Sequence, residues 1–381
     1  LIRETFMRVA ILTFHRANNF GAFLQAFALC KRLNEMDNIT AEIVDYICPA
    51  IENEYNPESL LNGDGNKIKK KIVYFLRKPV MEKTAIKFES ARKKYLPISK
   101  RNIERNDLKD ISSLYDLFIV GSDQVWNQHL TGNDKTYFLD FIEDRRKKGS
   151  YAVSMGDPNY DKDELIELKR NLKDFSFLSV REKNTAAYLN KITERDDIVV
   201  SVDPVFLLAR NEWIAQMQLP EEKDYVLFYT VGNPRTSTLN FAKELAKEKK
   251  KKLLFIRDRD IAYKHLEVKH INGIDPLEFV GYIFNASDIV TNSFHATAFS
   301  VLLHKNFYVE TKMKRNERML NLLDTAGIRG HKLFDGSLTG LEQDNINWSA
   351  VDDKLKSDIA LSLNYLENIT ADFNKGIIDE S

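Results

Sequence analysis

Cysteine is scarce in this sequence, and long apolar runs are absent. The chain of 381 residues has two cysteines, Cys30 and Cys48, and two isolated thiols build neither a zinc site nor the disulfide framework of a small secreted protein. No run of about 20 apolar residues occurs, which excludes an ordinary transmembrane helix. The residues before Met7 lack the basic start and apolar middle of a signal peptide. We therefore expect a protein of the reducing cytoplasm, with Cys30 as a buried free thiol and no metal site.

The chain also lacks an excess of charge of either sign. Lys plus Arg and Asp plus Glu each number 56, so the formal net charge is zero. A nucleic-acid-binding domain usually carries a clear basic excess, and we expect no such partner here. Apolar residues make up 43% of the chain, which is enough for a core in each of two domains of ordinary size.

Short, continuously apolar runs alternate with amphipathic helical patterns along the chain. The runs predict strands at residues 9–14, 39–46, 116–121, 149–155, 177–181, 198–202, 225–231, 252–257, 288–291 and 306–310. The helical patterns predict helices at residues 21–36, 237–250, 276–285, 294–303 and 354–366. Strands without polar alternation are typical of parallel sheets that are covered on both faces. Two such series predict an α/β protein with two parallel sheets.

A polar, proline-containing segment at residues 219–223 separates the two series. We predict an N-terminal Rossmann-like domain over residues 7–215 and a C-terminal one over residues 221–350. The last segment, residues 351–381, contains a helix, and in folds of this type such a helix often returns to the first domain.

An insert at about residues 50–110 interrupts the first series. It is dense in Lys and Arg from residue 67 to residue 105, with aromatic residues between them. The pattern predicts helical structure and leaves two interpretations open. The insert is either a solvated helix face with its aromatic residues packed beneath, or a basic surface that meets an anionic, lipid-linked acceptor at a membrane.

The first candidate site residues follow the first predicted strand. Doubly wound sheets bind ligands at the turns after their strands. The turn here contains Asn18, Asn19 and Gly21, and Gln25 follows in the helix. Asn and Gly permit unusual backbone angles, and the free amides at a helix start suit an anion. An ordinary turn is the alternative interpretation.

A second set follows the strand at 116–121. It contains Ser122, Asp123, Gln124 and Trp126. A carboxylate at such a turn can act as general base toward a sugar hydroxyl, which is one interpretation of Asp123; an Asx-type turn is the other. Trp126 either stacks on a sugar ring or lies in the core.

The next two predicted strands end in further candidates. Ser154 and Gly156 are small, which permits close approach of a ligand. Arg181 leaves a buried strand at its carboxyl end, where a guanidinium can bind a carboxylate or phosphate through two hydrogen bonds. A structural ion pair with Glu182 or a nearby Asp is the alternative for this arginine.

The second domain supplies the most informative turn. Asn292 ends a predicted strand, Ser293 is a good N-cap, and His295 falls in the first helical turn. The amides of a helix N-terminus favour negative charge, and a histidine beside an anion site can deliver a proton. A lone histidine is more often structural, but this one occupies a strand-to-helix turn.

Taken together, these turns resemble the polysaccharide pyruvyl transferase family. The residues that carry the resemblance are 13–29, 120–127, 151–156, 180–182, 202–208 with Trp213, and 293–300, in that order along the chain. The resemblance implies a GT-B-like pair of Rossmann-type domains that face a central cleft. It also implies transfer of the pyruvyl unit of phosphoenolpyruvate to two hydroxyls of one sugar, which forms a cyclic ketal and releases phosphate.

The resemblance implies roles for three residues. Arg181 would bind the donor, His295 would protonate its methylene carbon, and Asp123 would assist deprotonation of the sugar hydroxyl. The other turn residues would bind substrate, and no cofactor or metal would be needed. Family members act on bacterial exopolysaccharide, capsule or cell-wall glycans, often on lipid-linked precursors at the inner face of the plasma membrane.

One position departs from the family pattern. Ser293 stands where members carry an arginine, two residues before the histidine. Arg235, Arg257 or the amides of the helix start are candidates to replace that cation. Two other functions therefore stay open. One is a GT-B glycosyltransferase that uses a nucleotide sugar, with Asp275 or Glu278 on the ribose; the other is a non-catalytic glycan-binding relative. The sequence does not determine the oligomeric state.

Overall fold

The computed structural model describes residues 6–62, 64, 66–100, 102–156, 160–257, 268–310, 317–328, 332–333 and 346–378. In this part of the chain the strands form two parallel sheets of six strands each. The strands are β1 Met7–Leu12, β2 Ile39–Ile43, β3 Leu117–Asp123, β4 Lys148–Val153, β5 Ser179–Val180, β6 Val199–Val200, β7 Val226–Tyr229, β8 Leu253–Ile256, β9 Lys269–Ile271, β10 Asp288–Thr291, β11 Asn306–Glu310 and β12 Lys332–Leu333.

Helices connect the strands and cover the sheets. They are α1 Phe20–Asn34, α2 Pro49–Tyr55, α3 Lys67–Tyr95, α4 Leu108–Ile111, α5 Gln128–Thr131, α6 Lys162–Lys173, α7 Lys183–Thr193, α8 Arg210–Gln216, α9 Thr236–Glu248, α10 Pro276–Asn285, α11 Phe294–Leu302, α12 Glu317–Ala326 and α13 Trp348–Ile378. None of the described helices is both long and apolar enough to span a bilayer.

The first sheet has the strand order β2-β1-β3-β4-β5-β6. Every residue of β4, and all of β3 except its last residue, is buried. This pattern confirms the prediction of parallel strands covered on both faces, since neither side of these strands meets water. Helix α1 packs on this sheet, and the Cys30 thiol is buried and unpaired as predicted; burial raises its pKa to about 12.

The second sheet has the order β12-β11-β10-β7-β8-β9. Counted from β7, this is the strand order of a Rossmann fold. The sequence did not predict β9 or β12. In β9 only Ile271 is buried, so this short edge strand lacks the apolar run that identified the others.

Aromatic side chains join the two halves into one core. Phe20 at the start of α1 stacks on Phe279 of α10, with ring centroids 4.3 Å apart and planes 2° apart. Phe20 also meets Tyr229 at the end of β7, at 5.8 Å. Below them, Trp213 packs edge-on against Phe299 of α11 at 4.8 Å. These contacts hold the starts of α1 and α11 close together.

The basic insert is mainly one long helix, α3, with Pro79 inside it. Its second half buries Met81, Thr84, Phe88 and Ala91. The interpretation of the insert as a solvated helix face with aromatic residues packed beneath agrees with the burial of Phe88 in this second half. It is wrong for the first half, where Phe75 is 70% exposed.

The last helix, α13, begins before the predicted residue 354 and contacts the first sheet. The Tyr365 hydroxyl donates to the Ser150 carbonyl of β4 at 2.8 Å. The Val202 amide, just beyond β6, donates to Ser362 Oγ at 2.9 Å. Helix α13 thereby lies against the β4–β6 side of the first sheet.

Candidate functional site

The strand order reverses once in each sheet, between β1 and β3 and between β7 and β10. In doubly wound sheets ligands bind beyond the carboxyl ends of the strands at such points. Asp123 ends β3 and the start of α1 follows β1, while the start of α11 follows β10. The two reversal points face each other, because α1 contacts α11 across the domains.

His295 lies in the first turn of α11. Ser293 caps this helix, since its Oγ accepts from the Ala296 amide at 3.3 Å, and its own amide donates to Thr291 Oγ1 at 3.0 Å. The Ser293 side chain is committed to the cap and supplies no positive charge where family members carry an arginine. It leaves the amides of Phe294 and His295 without partners inside the helix, as at every helix start.

The imidazole of His295 is held between the two domains. Its Nε2 lies 3.4 Å from Asp203 Oδ2, which belongs to the segment after β6. Its Nδ1 faces Gly21, where an added Cβ would lie only 1.9 Å away. The predicted substrate-binding residue Gly21 therefore has a packing role in this structure: it makes room for the histidine.

We expect Gly21→Ala to disturb this contact. Overpacking a tight contact costs about 1–3 kcal/mol of folding stability, and turnover should fall if the reaction depends on the position of this imidazole. Thermal unfolding and turnover measure the two effects. Gly149→Ala is the matched control, because its methyl would meet no atom closer than 3.7 Å. Equal behaviour of the two variants would show that the contact is not tight in solution.

Arg181 and Asp203 form a buried ion pair beside the histidine. Arg181 Nη1 donates to Asp203 Oδ2 at 2.6 Å, and Nε donates to Glu182 Oε1 at 3.1 Å. Burial would raise the pKa of Asp203, but the charges of His295 and Arg181 outweigh it and lower this pKa to about 2. Arg181 thus forms a structural ion pair, which was the alternative to donor binding predicted from the sequence. Its Nη2 alone is left without a partner among the described residues.

A second guanidinium, Arg318 of α12, lies near Arg181. The Phe294 ring is 4.5 Å from the Arg181 Cζ and 6.0 Å from the Arg318 Cζ. Among the described residues no carboxylate oxygen lies within 4.0 Å of Arg318. When the side-chain amide of Gln124 is turned so that its oxygen faces Arg318, this oxygen accepts hydrogen bonds from Arg318 Nη1 at 3.2 Å and Nη2 at 3.3 Å. Burial and the charge of Arg181 lower the pKa of Arg318.

Both arginines line a cavity of about 580 Å³ between the first sheet and helices α12 and α13. Phe294 and Asp203 share the charged end with them, and Leu355 of α13 lies in the apolar wall. His295 is only 7% exposed and stands behind Phe294 rather than in the lining. A ligand at this end of the cavity would lie beside two guanidinium groups and the carboxylates of Glu182 and Asp203.

Arg318 has no signal in the sequence pattern. Asp203 lies in the segment 202–208 that carries the family resemblance, but the pattern assigns it no role. The proposed substitutes Arg235 and Arg257 do not line the cavity. Arg235 pairs with Glu310 at 3.0 Å.

Asp123 ends β3 with a left-handed backbone, at φ 70°. Its Oδ1 accepts from the Gln124 amide at 2.9 Å, and the side chain is partly exposed. Its negative charge acts on both Arg181 and Arg318. The predicted base thus lies in the same electrostatic environment as the two arginines.

Trp126 lies in the core, the second of its two predicted positions, and not at a sugar-binding surface. Its side chain is fully buried, its Nε1 donates to the Tyr137 carbonyl at 2.9 Å, and its ring stacks on Phe138. A sugar ring cannot reach the indole in this structure. Trp126 is a core residue because the β3–α5 turn folds inward over Phe138 and Phe175.

Three other predicted substrate-binding residues are also fully buried: Gln25, Ser122 and Ser154. Gln25 Nε2 donates to Thr13 Oγ1 at 2.8 Å and its Oε1 accepts from the Ser122 amide at 3.0 Å. Ser122 Oγ donates to the Ala152 carbonyl at 2.6 Å. These side chains support the turns after β1, β3 and β4 and do not face the cavity.

The remaining predicted residues lie around the site. Asn19 caps α1 by accepting from the Ala22 amide. Asn292 bonds to the backbone of Val231 through both amide atoms, which ties the ends of β7 and β10 together.

Two predicted residues have other surroundings. Asn18 accepts from Arg92 and lines a separate pocket of about 520 Å³. Gly156 has φ 71°, and a Cβ there would lie 2.6 Å from the Gln124 side chain.

Asp275 and Glu278, the ribose candidates, form the capping box of α10. In the described part of the chain no group of His, Cys, Asp or Glu is placed to hold a metal ion.

Comparison with solved structures shows the fold. A UDP-N-acetylglucosamine 2-epimerase is 10% identical, with 98% of this chain and 97% of that chain covered and a TM-score of 0.52. The enzyme from Methanocaldococcus jannaschii is 12% identical, with 92% of each chain covered and a TM-score of 0.50. A putative one from Listeria monocytogenes is 11% identical, with 98% and 97% covered and a TM-score of 0.50. Such low identities show the architecture alone, which is GT-B-like as expected.

Comparison of the sequence with known families is more specific. No curated protein matches the sequence. A family profile described as polysaccharide pyruvyl transferase matches residues 19–310. The match contains the starts of α1 and α11 as well as Asp123, Arg181, Asp203 and His295. The protein therefore belongs to the polysaccharide pyruvyl transferase family and is a transferase.

Proposed function

We propose that the protein transfers the pyruvyl unit of phosphoenolpyruvate to two hydroxyls of one sugar in a glycan, with a cyclic ketal and phosphate as products. One observation carries the proposal. The charged end of the cavity brings two guanidinium groups next to an Asp203–His295 pair. Cations suit a donor that has both a carboxylate and a phosphate, and the pair supplies a group able to move a proton.

The donor would be bound mainly by Arg318. Arg181 spends two of its nitrogens on Glu182 and Asp203, so only Nη2 remains for a ligand. Arg318 has no such carboxylate partner among the described residues. The amides at the start of α11 add partial positive charge. In this arrangement Arg318 takes the place of the cation that the family carries at the position of Ser293.

The reaction would proceed as an addition followed by a substitution. His295 donates a proton to the methylene carbon, and a sugar hydroxyl oxygen forms a bond to the adjacent carbon while Asp123 accepts its proton. The second hydroxyl oxygen then bonds to the same carbon, the bond from that carbon to the phosphate oxygen breaks, and its electron pair leaves with phosphate. The proton of the second hydroxyl returns to His295, and the proton held by Asp123 leaves with the phosphate. Because the imidazole is buried, substrates would reach it as the domains part at the Gly21–His295 contact.

The acceptor class follows from the family. A glycan acceptor agrees with the family description, and we propose an exopolysaccharide, capsule or cell-wall glycan. A lipid-linked form of that glycan would bring the enzyme to the inner face of a plasma membrane.

Calorimetry with phosphoenolpyruvate, UDP and CMP tests the donor. Binding of phosphoenolpyruvate alone supports the proposal, and phosphate release that requires a glycan acceptor, with a ketal methyl signal by NMR, would complete it. Binding of UDP or CMP in its place would favour the nucleotide-sugar alternative, which the similarity to UDP-GlcNAc 2-epimerases makes worth testing. Binding of none would favour a non-catalytic glycan-binding relative.

Arg318→Ala should weaken donor binding while the chain stays folded. A hydrogen bond to a charged group is worth about 1.5–3 kcal/mol, which corresponds to about a 10- to 150-fold rise in the Kd for phosphoenolpyruvate. Arg170→Ala, on the exposed side of α6, is the control and should leave the Kd unchanged. An unchanged Kd for Arg318→Ala would remove Arg318 from the donor site.

A further inference from the structure

Large apolar side chains are exposed along the first half of α3. Ile68 is 72% exposed, Ile72 54%, Phe75 70% and Leu76 53%. At about 100° of rotation per residue, their spacing places all four within an arc of about 100° on one face of the helix. They form a continuous stripe over more than two turns, and below it is called the α3 stripe.

The α3 stripe is surrounded by positive charge. Between residues 67 and 78 there is no acidic residue, and the basic ones are Lys67, Lys69, Lys70, Lys71, Arg77 and Lys78. The same helical geometry places Lys69 along one border of the stripe and Lys71 along the other. The whole chain has zero formal net charge, so the residues outside this segment are net acidic and the basic concentration is local.

None of the described residues covers this face of the helix, since its four apolar side chains are all more than half exposed. The first half of α3 packs against the short turn Pro57–Leu61 through its opposite side. There the Tyr74 hydroxyl donates to Glu58 at 2.6 Å, Lys78 pairs with the same carboxylate at 3.4 Å, and Lys70 donates to the Asn62 carbonyl at 3.0 Å. The helix is therefore held by one side while the α3 stripe points away from the domain.

We infer that the α3 stripe is a docking surface for an anionic lipid bilayer. An apolar stripe bordered by lysines is the pattern of a helix that lies in the interface of a membrane, with apolar side chains among the acyl chains and lysines at the head groups. A second copy of this chain is a poorer occupant, because an equivalent helix would bring its own lysines against these. Nucleic acid would leave the apolar centre of the stripe without a partner.

Vesicle sedimentation with the full chain tests this inference. We expect binding to phosphatidylcholine vesicles that contain phosphatidylglycerol, weaker binding without it, and a decrease as salt rises. The double substitution Ile72→Ser with Phe75→Ser should reduce the bound fraction at least about tenfold, since it removes the central apolar contacts. Ile166→Ser, which changes an isoleucine on α6 that is 68% exposed, should have no effect.

A second variant reports insertion directly. Phe75→Trp should show a blue shift of tryptophan emission when anionic vesicles are added, because the indole would move from water to the acyl boundary. Absence of vesicle binding by the natural sequence, or equal binding by the double variant, would overturn the inference. The inference would also be overturned if the natural sequence bound no vesicles but formed a dimer, and the double substitution made that dimer dissociate. Vesicle binding requires neither donor nor acceptor, so its failure would leave the proposed chemistry untouched.

Discussion

His295→Asn should lower the rate of pyruvyl transfer by about 10²–10⁴-fold, the usual contribution of a positioned acid–base group. Asn keeps a polar side chain of similar reach but cannot deliver a proton to carbon. The histidine is not part of the cavity lining, so binding of phosphoenolpyruvate should persist. The expected result is a fall in kcat with little change in the Kd of the donor.

Single-turnover rates and calorimetry separate these two effects. His129→Asn is the control, since His129 is exposed on the short helix α5, and it should behave like the natural sequence. If His295→Asn turned over normally, His295 would be a packing residue between Gly21 and Asp203, and another group would have to protonate the donor.

Asp203→Asn should have the largest effect on stability. The substitution keeps the shape of the side chain but removes the charge that Arg181 and His295 face. Breaking a buried ion pair by removing one partner typically costs about 3–5 kcal/mol, because Arg181 would remain charged and buried. Urea unfolding at neutral pH measures the loss. Asp197→Asn, at an exposed pair with Arg195, should cost only about 0–1 kcal/mol.

The pH dependence of this loss has a definite sign. The pKa of Asp203 is lowered from 3.8 to about 2 by folding. A lowered pKa means that the folded state favours the carboxylate, so its stabilisation is complete above about pH 4 and is lost as pH falls toward 2. The difference between the natural sequence and Asp203→Asn should therefore be constant near neutral pH and narrow below about pH 4. A difference that widened on acidification would contradict the ion pair.

Much of the fold was predictable because its signals are local. Helix α10 and strands β10 and β11 have the predicted bounds, since a proline at a helix start and an unbroken apolar run each act within a few residues. The position of His295 after β10 and its N-cap Ser293 followed from the same signals. Strand β9 and the early start of α13 could not be predicted from such signals, because short edge strands and polar helix ends have weak residue patterns.

The contents of the site depended on contacts distant in sequence. For Arg181 the sequence left open a donor ligand and a structural ion pair, and only the fold shows Asp203 Oδ2 at 2.6 Å from its guanidinium. Trp126 looked equally able to bind sugar or to fill the core, and burial under Phe138 and Phe175 decided for the core. Arg318 had no sequence signal, because only the fold brings it near Arg181.

The amino-acid sequence by itself determined the two parallel α/β sheets and the family of the protein, because local residue patterns identify strands and helices and an ordered series of short motifs identifies the family. Only the tertiary structure decided which side chains at the strand-to-helix turns are buried, that Arg181 pairs with Asp203, and that the α3 stripe is exposed. The physical reason is that burial and ion pairing are properties of neighbours in space, and those neighbours lie up to hundreds of residues apart along the chain.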